Sequence, residues 1–190
     1  GGFAGLELVK ELNRSGKYHI TLVDMNNYNF FPPLLYQLAA GFMEPSSISY
    51  PFRRLLRKYK NARFRMASLQ EVIPAENKLI LSNGELSYDI LVMATGAESN
   101  FFGNKEVEEK AMPMKTVGDA LMLRNLVYTR LERATRTQDK EQRRILLSFA
   151  IAGAGPTGVE LSGIFAEMKQ NIMRKDYPEL TFDDLGDIYL

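Results

Sequence analysis

Residues 145–168 read ILLSFAIAGAGPTGVELSGIFAEM, an apolar run followed by a glycine turn and a second apolar segment. The run at residues 145–152 predicts a buried strand, and residues 159–173 have the apolar spacing of a helix. Between them, three glycines follow the pattern G-x-G-x-x-G, which in this context is typical of dinucleotide binding. The first glycine permits a tight turn, the second lets the backbone approach a pyrophosphate, and the third lets the helix pack on the strand. The plainer interpretation is a glycine turn that only joins strand to helix.

Two acidic residues bear on whether this turn binds a dinucleotide and on which one it binds. Glu160 falls in the first turn of the predicted helix, where a carboxylate either stabilises the helix dipole or lies beside the nicotinamide of a bound cofactor. Both interpretations stay open at this point. The acid that separates NADH from NADPH ends the next strand, which begins near Asp187. We expect this acid beyond Leu190.

A second glycine turn stands at the beginning of the sequence. Gly2 and Gly5 have the spacing of the second and third fingerprint glycines, so we expect the first glycine and its strand directly before Gly1. A helical stripe follows until Ser15, and a buried strand ends at Asp24, where a ribose-binding acid belongs. The alternative is an accidental glycine-rich start. Two turns of this kind predict two nucleotide modules.

The rest of the chain alternates predicted helices and strands. Residues 30–33 form an aromatic, proline-containing loop before a short helix at 34–40, and residues 51–60 predict a basic amphipathic helix. Asn83-Gly84 is a hairpin signal. Further predicted elements are short strands within 64–81, a buried strand at 90–93 that leads into Ala94, Thr95 and Gly96, and a helix at 116–137.

These elements predict an α/β fold of the Rossmann-like type, with a doubly wound parallel sheet and a small antiparallel insertion near residues 64–81. We expect the sheet to be truncated at both ends of the sequence. The expected division is an FAD-binding domain at residues 1–115 without its first strand, a connecting helix at 116–144, and the start of an NAD(H)-binding domain at 145–190.

Composition narrows the function classes. The 190 residues include no Cys, which excludes thiol nucleophiles, Cys-ligated metals and a redox-active cysteine pair within this sequence. We expect no metal site. The net charge of +1 gives no overall attraction to nucleic acid, and no nucleic-acid partner is expected. No apolar run approaches the roughly 20 residues of a membrane span. The single histidine, His19, leads into a strand and has no evident acid-base partner.

A cluster of basic residues lies in and after the amphipathic helix. We interpret it as a solvated helix face, with anionic lipid and nucleic acid as the alternatives. Its members are Arg53, Arg54, Arg57, Lys58, Lys60, Arg63 and Arg65.

Four segments give the chain a family resemblance: GGFAGLELVKEL, TLVDMNNYNFFPPLLYQLAAG, YDILVMATGAESNFFG and GAGPTGVELSGIFAEM. Together they resemble the flavoproteins with two dinucleotide-binding domains, and specifically the type II NADH dehydrogenases, which are NADH:quinone oxidoreductases. The second segment is the most telling, because an aromatic-proline loop followed by LLYQ is similar to that family.

The resemblance implies two cofactors, FAD and NADH, and a role for particular residues. Gly2, Phe3, Ala4 and Gly5 would line the FAD pyrophosphate, with Asp24 at its ribose, Val72 at its adenine, Pro33 and Leu34 at the flavin, and Ala94, Thr95 and Gly96 also at FAD. NADH would be bound by Gly153, Gly155, Pro156, Thr157 and Gly158. The carboxylate of Glu160 would face the nicotinamide and flavin as the catalytic residue.

The resemblance also implies a function: hydride passes from NADH to FAD, and electrons pass on to a quinone of the respiratory chain. It implies a cytoplasmic enzyme peripheral to the inner face of the cell membrane, with membrane contact through a C-terminal part absent here, and a possible homodimer. Two alternatives stay open, a reductase of the same fold with a ferredoxin or other protein acceptor, and a non-catalytic nucleotide-sensing flavoprotein.

Overall fold

The computed structural model describes residues 1–190, apart from the side chains of residues 172, 174 and 182. The helices are α1 Phe3–Ser15, α2 Leu35–Ala39, α3 Pro45–Ile48, α4 Phe52–Leu56, α5 Lys105–Lys110, α6 Val117–Arg136, α7 Lys140–Leu146, α8 Pro156–Met168 and α9 Arg174–Asp176. The strands are β1 Ile20–Asp24, β2 Tyr28–Phe30, β3 Ser49–Pro51, β4 Ala62–Met66, β5 Leu69–Ile73, β6 Lys78–Leu81, β7 Gly84–Ser87, β8 Phe149–Ala150 and β9 Ile188–Tyr189. Within these described residues, no helix is both long and apolar enough to cross a membrane.

The chain divides into two compact units. Unit 1 comprises Gly1–Phe30 and Ser49–Ala97, and unit 2 comprises Phe31–Ile48 and Glu98–Leu190. Each unit contains one of the two glycine turns. The expected division into ligand-binding domains stays a prediction.

Unit 1 is built around a parallel pair of strands. β1 pairs with β4 in parallel, from Ile20 opposite Ala62 to Asp24 opposite Met66. Helix α1 ends as predicted, because Gly16 takes the left-handed conformation with φ +67°. The helix and the strands enclose one apolar cluster, in which the Phe52 and Phe64 rings stack 4.9 Å apart. Its buried members are Val9, Leu22, Phe52, Leu56 and Phe64.

The predicted antiparallel insertion is present in unit 1, but it lies at residues 69–87 rather than 64–81, because residues 64–66 belong to β4 of the parallel pair. Strands β5, β6 and β7 form a three-stranded antiparallel sheet, and Gly84 in the predicted hairpin turn has φ +110°. Asn77 adopts the left-handed conformation between β5 and β6. Alternating residues of β6 are buried, so the sheet has one apolar face.

Unit 2 contains the long helix α6, which begins and ends where the sequence predicts. Thr116 and Asp119 form a reciprocal capping box at its start, and the apolar stripe that includes Val127 and Leu131 is buried. Helix α2 packs against both α6 and α8. Strand β8, which precedes the second glycine turn, pairs in parallel with β9.

The predicted strand at residues 90–93 is wrong. The segment has no regular structure, and the side chains of Ile90, Val92 and Met93 are more than half exposed. Only Leu91 packs against an apolar cluster, which centres on Leu79 and Leu81. An apolar run becomes a strand only when a neighbouring strand completes its hydrogen bonds, and no described strand pairs with this segment.

Two other predicted elements are shorter than expected. The basic helix at residues 51–60 reduces to α4, because the amide of Ile20 bonds the Asn61 carbonyl and draws the chain into β4. The strand at residues 145–152 reduces to β8, because the Asp139 cap starts α7, which continues through Ile145. Ile145 is 63% exposed, whereas Leu147 takes the buried position.

Candidate functional site

The turn in unit 2 cannot accept a side chain at its third glycine. A Cβ built on Gly158 would lie 1.9 Å from the Gly153 carbonyl oxygen, far inside the contact distance. Gly153 itself has φ +118°, which disfavours any residue with a Cβ. These two positions therefore need glycine to bring the start of α8 against the turn, as the fingerprint predicts.

The middle glycine of this turn has open space in front of it. A Cβ at Gly155 would meet no atom within 4 Å, and Gly155 is the N-cap of α8 without a side-chain hydrogen bond to the helix. Pro156 takes the first helical position, where its missing N–H costs nothing. The first helical turn thus presents backbone N–H groups and the positive end of the helix dipole to an anion.

Two polar residues of the first turn of α8 are also accessible. Thr157 and Glu160 are both exposed. Within the part of the chain that the structure describes, no hydrogen bond or ion pair involves the Glu160 carboxylate. Glu160 is therefore available to a ligand of this turn.

The turn in unit 1 repeats the open middle position. Gly2 is the N-cap of α1, makes no side-chain capping bond, and has no atom within 4 Å of the place where a Cβ would lie. The predicted ribose acid is beside this turn, since the Gly1 backbone nitrogen lies 2.8 Å from the Asp24 Oδ2 atom. The Asn26 amide donates to the other carboxylate oxygen over 2.8 Å. The glycine turn and the acid are thus brought together, as in a dinucleotide site.

Two residues of this site were missed by the sequence reasoning. A Cβ on Gly1 would lie 2.2 Å from the Phe52 ring and 2.5 Å from the Asp24 carboxylate, so Gly1 packs where no side chain fits. The Asn29 side-chain amide donates to the Gly1 carbonyl over 2.9 Å and holds the turn from the other side. The doubled glycine was a usable signal for Gly1, whereas nothing local marks Asn29.

The other predicted FAD residues are placed in different ways. A Cβ on Gly5 would meet the Ala94 and Leu22 side chains at ordinary distances, 3.8 and 3.7 Å, so Ala94 lies beside the first turn. Val72 packs, together with Val23, against the cluster that includes Leu79. Thr95 and Gly96 follow Ala94 in irregular chain. Pro33 and Leu34 belong to unit 2, in a 3-10 turn at Pro32–Leu34 that leads directly into α2.

Charged side chains form contacts between the segments that flank β8 and β9, the strand pair beside the second turn. The Thr181 amide and hydroxyl donate to buried Asp184, and Arg143 lies 3.2 Å from its other oxygen; these contacts lower the Asp184 pKa, the amide most strongly. Arg144 likewise bonds Asp187 at 2.7 Å and lowers its pKa. Lys169 donates to the Gly186 carbonyl, and burial lowers its pKa.

Comparison with known proteins adds the family to this geometry. The family model described as pyridine nucleotide-disulphide oxidoreductase matches residues 1–181. The chain belongs to the pyridine nucleotide-disulphide oxidoreductase family. The predicted Rossmann-like α/β fold is therefore confirmed, and so is the predicted kinship with the type II NADH dehydrogenases, which the individual relatives establish.

The type II NADH:quinone oxidoreductase Ndh of Mycobacterium tuberculosis is 36% identical over 177 residues, which are 91% of this chain and 38% of that protein. The solved structure of NDH2 from Plasmodium falciparum in complex with NADH has a TM-score of 0.83 and 28% identity over 91% of this chain and 37% of its own. A sulfide:quinone oxidoreductase from Aquifex aeolicus gives a TM-score of 0.66 and 25% identity, over 92% of this chain and 39% of its own. The chain thus spans about two fifths of the length of these relatives.

Proposed function

We propose that the protein carrying this chain is an FAD-dependent NADH dehydrogenase that passes electrons to a quinone. The observation that carries the proposal is the pair of glycine turns, each with an open middle glycine before an uncapped helix. Kinship with type II NADH:quinone oxidoreductases supports the donor and the acceptor. The chemistry that bound FAD supplies is hydride acceptance from NADH and delivery of two electrons to the quinone.

In unit 1, the residues at the first turn are proposed to hold FAD. Gly2, Phe3, Ala4 and Gly5 would present the start of α1 to the pyrophosphate, because anions are stabilised by free N–H groups at a helix start. Asp24 would accept hydrogen bonds from the ribose hydroxyls, and Val72 would contact the adenine. Ala94, Thr95 and Gly96 would line the same cofactor, consistent with Ala94 lying beside Gly5.

In unit 2, the second turn is proposed to hold NADH. Gly155 would let the backbone meet the NADH pyrophosphate, with Pro156 and Thr157 beside it, while Gly153 and Gly158 shape the turn. The loop with Pro33 and Leu34 would approach the flavin. It leads into α2, which packs against α8, the helix that begins at this NADH turn.

Glu160 is proposed to face the nicotinamide and to position it for hydride transfer. Its exposed carboxylate in the first turn of α8 is free to bind the carboxamide of the ring. Hydride transfer requires no general base, so this role is positional and electrostatic. Peripheral contact with a membrane, where the quinone is dissolved, is part of the same proposal.

Acceptor assays on the full-length, FAD-loaded protein test the proposed function. We expect NADH oxidation to accelerate with a water-soluble quinone analogue and to stay slow with a ferredoxin. Rapid turnover with ferredoxin and none with quinone would instead support a protein-acceptor reductase. Turnover with neither acceptor would support a nucleotide-sensing flavoprotein.

FAD retention tests the first turn separately. Replacing Asp24 by Ala removes a charged acceptor from the ribose hydroxyls, worth about 1.5–3 kcal/mol, so FAD should dissociate at least tenfold more readily. The fluorescence of FAD released on dilution measures this. Unchanged retention in Asp24→Ala would contradict the assignment of the ribose acid.

A further inference from the structure

The basic cluster of unit 1 is unusual in its charge balance. Between residues 45 and 70 the sequence contains seven basic residues and no acidic residue, in a chain whose net charge is only +1. None of the seven forms an ion pair with a carboxylate in the described part of the chain. Like charges gathered without counter-ions repel each other, and an anion bound among them would relieve that repulsion.

Three of these seven cations line a cleft between α4 and β4. The cleft has a volume of about 320 Å³, at the lower end of the range for small-molecule sites. Of its apolar lining, Leu56 and Phe64 are buried and Tyr59 and Ala62 are partly exposed, while the arginines are exposed. The lining residues are Arg53, Leu56, Arg57, Tyr59, Ala62, Arg63 and Phe64.

Two of the three arginines are held in place by neutral partners. The Arg63 Nε–H donates to the Thr21 hydroxyl over 2.9 Å, and the Arg53 guanidinium lies 5.6 Å from the centre of the Phe64 ring. Neither contact neutralises the charge, so the guanidinium groups keep donors for an anion. A planar guanidinium matches the oxygens of a phosphate with two parallel hydrogen bonds.

We propose that this cleft binds a phosphate ester, with its phosphate among Arg53, Arg57 and Arg63 and its organic part against Tyr59 and Ala62. The site is separate from the two glycine turns and does not depend on the proposed function. A soluble phosphate ester and the headgroup of an anionic phospholipid share this chemistry. The partly exposed apolar side chains beside the arginines favour an ester with an organic part over a bare phosphate.

Binding to the full-length, FAD-loaded protein tests the site. One arm measures the binding of naphthyl phosphate to the protein by calorimetry. The other measures how much protein sediments with phosphatidylglycerol vesicles compared with phosphatidylcholine vesicles. The triple variant R53Q/R57Q/R63Q should weaken binding at least tenfold in one arm or both. The matched control R133Q/R136Q/K140Q removes three charges from the region of α6 and α7 and should bind like the unaltered protein.

The results of the two binding assays either identify the ligand as a soluble ester or a lipid headgroup, or show that the cleft is not a binding site. Loss confined to naphthyl phosphate identifies a soluble ester, loss confined to vesicles identifies a lipid headgroup, and loss in both identifies the shared chemistry. Equal binding by the protein and its triple variant in both arms, or an equal loss in the control, overturns the proposal. Lysine at the same three positions should restore only part of the affinity, because it keeps charge but not paired donors. Arg57→Glu, at an exposed side chain, provides a single-site test should the triple variant not fold.

Discussion

The two glycine turns both have open space at the middle glycine, Gly2 or Gly155. They differ in the atoms that leave no room for a side chain at a neighbouring glycine. At the second turn, backbone excludes a Cβ, since the Gly153 carbonyl oxygen lies 1.9 Å from the place of a Cβ on Gly158. At the first turn, the side chains of Phe52 and Asp24 exclude a Cβ on Gly1. An open middle position is therefore common to both turns, while the packing that shapes each turn differs.

The neighbouring strands differ as well. The β1–β4 pair of unit 1 is backed by the apolar cluster around Phe52 and Phe64. The β8–β9 pair of unit 2 is also packed against an apolar ring, since buried Phe149 stacks on Phe165 with ring centres 4.5 Å apart. Charged contacts lie near this pair in addition, Arg143 with Asp184 and Arg144 with Asp187. Both turns should consequently respond to packing changes, whereas unit 2 should also respond to the loss of charge.

The largest expected effect is that of Gly158→Ala. The Cβ would collide with a backbone atom that cannot rotate away, so the free energy of unfolding should fall by about 3 kcal/mol. Chemical denaturation of the FAD-loaded protein measures it. Gly163→Ala, in the same helix with no atom within 4 Å of the new Cβ, is the matched control and should cost nothing. A tolerated Gly158→Ala would contradict the close approach of α8 to the turn.

A smaller effect is expected from Asp184. Asp184→Asn keeps the shape but removes the charge that accepts from Thr181 and Arg143, which should cost about 1.5 kcal/mol at neutral pH. Because the folded-state pKa lies below the unfolded one, this stabilisation is full above the unfolded pKa and disappears as pH falls through the folded value. Unfolding curves from neutral pH to below about pH 4 should therefore converge for the two proteins. A constant difference at all pH values would exclude the charge as its cause.

The smallest expected effect is that of Gly1→Ala, about 1 kcal/mol, because the obstacle includes the end of a side chain. Adding Phe52→Leu shortens that side chain, so the double variant should lose less stability than the two single losses combined. Chemical denaturation of the unaltered protein, the two single variants and the double variant gives the coupling free energy between Gly1 and Phe52. At the second turn, shortening Ile151 should not rescue Gly158→Ala, since the obstacle there is backbone. Additive losses at Gly1 and Phe52 would refute the proposed contact.

The sequence predicted the second glycine turn well because its geometry depends on two residues a few positions apart, Gly153 and Gly158. The end of α1 and the start of α6 could also be predicted, because each depends on residues close in sequence. Gly16 ends α1, and Thr116 caps α6 together with Asp119. The predicted strand at residues 90–93 failed because a strand depends on a partner strand, and no described strand pairs with this segment. Phe52 at Gly1 and Asn29 at the turn could not be predicted, because both contacts join residues distant in sequence.

The most direct test of the account concerns Gly155, where a branched side chain would occupy the proposed path of the NADH pyrophosphate. The full-length Gly155→Val protein should stay yellow and be reduced by dithionite, with thermal melts showing that it is folded. Stopped-flow reduction of its flavin by NADH should require at least tenfold more NADH than in the unaltered protein. Gly163→Val, the same substitution further along α8 at an equally open position, should leave NADH reduction unchanged. If the flavin of Gly155→Val were reduced at the unaltered rate and with the same dependence on NADH concentration, the second glycine turn would not be the NADH site.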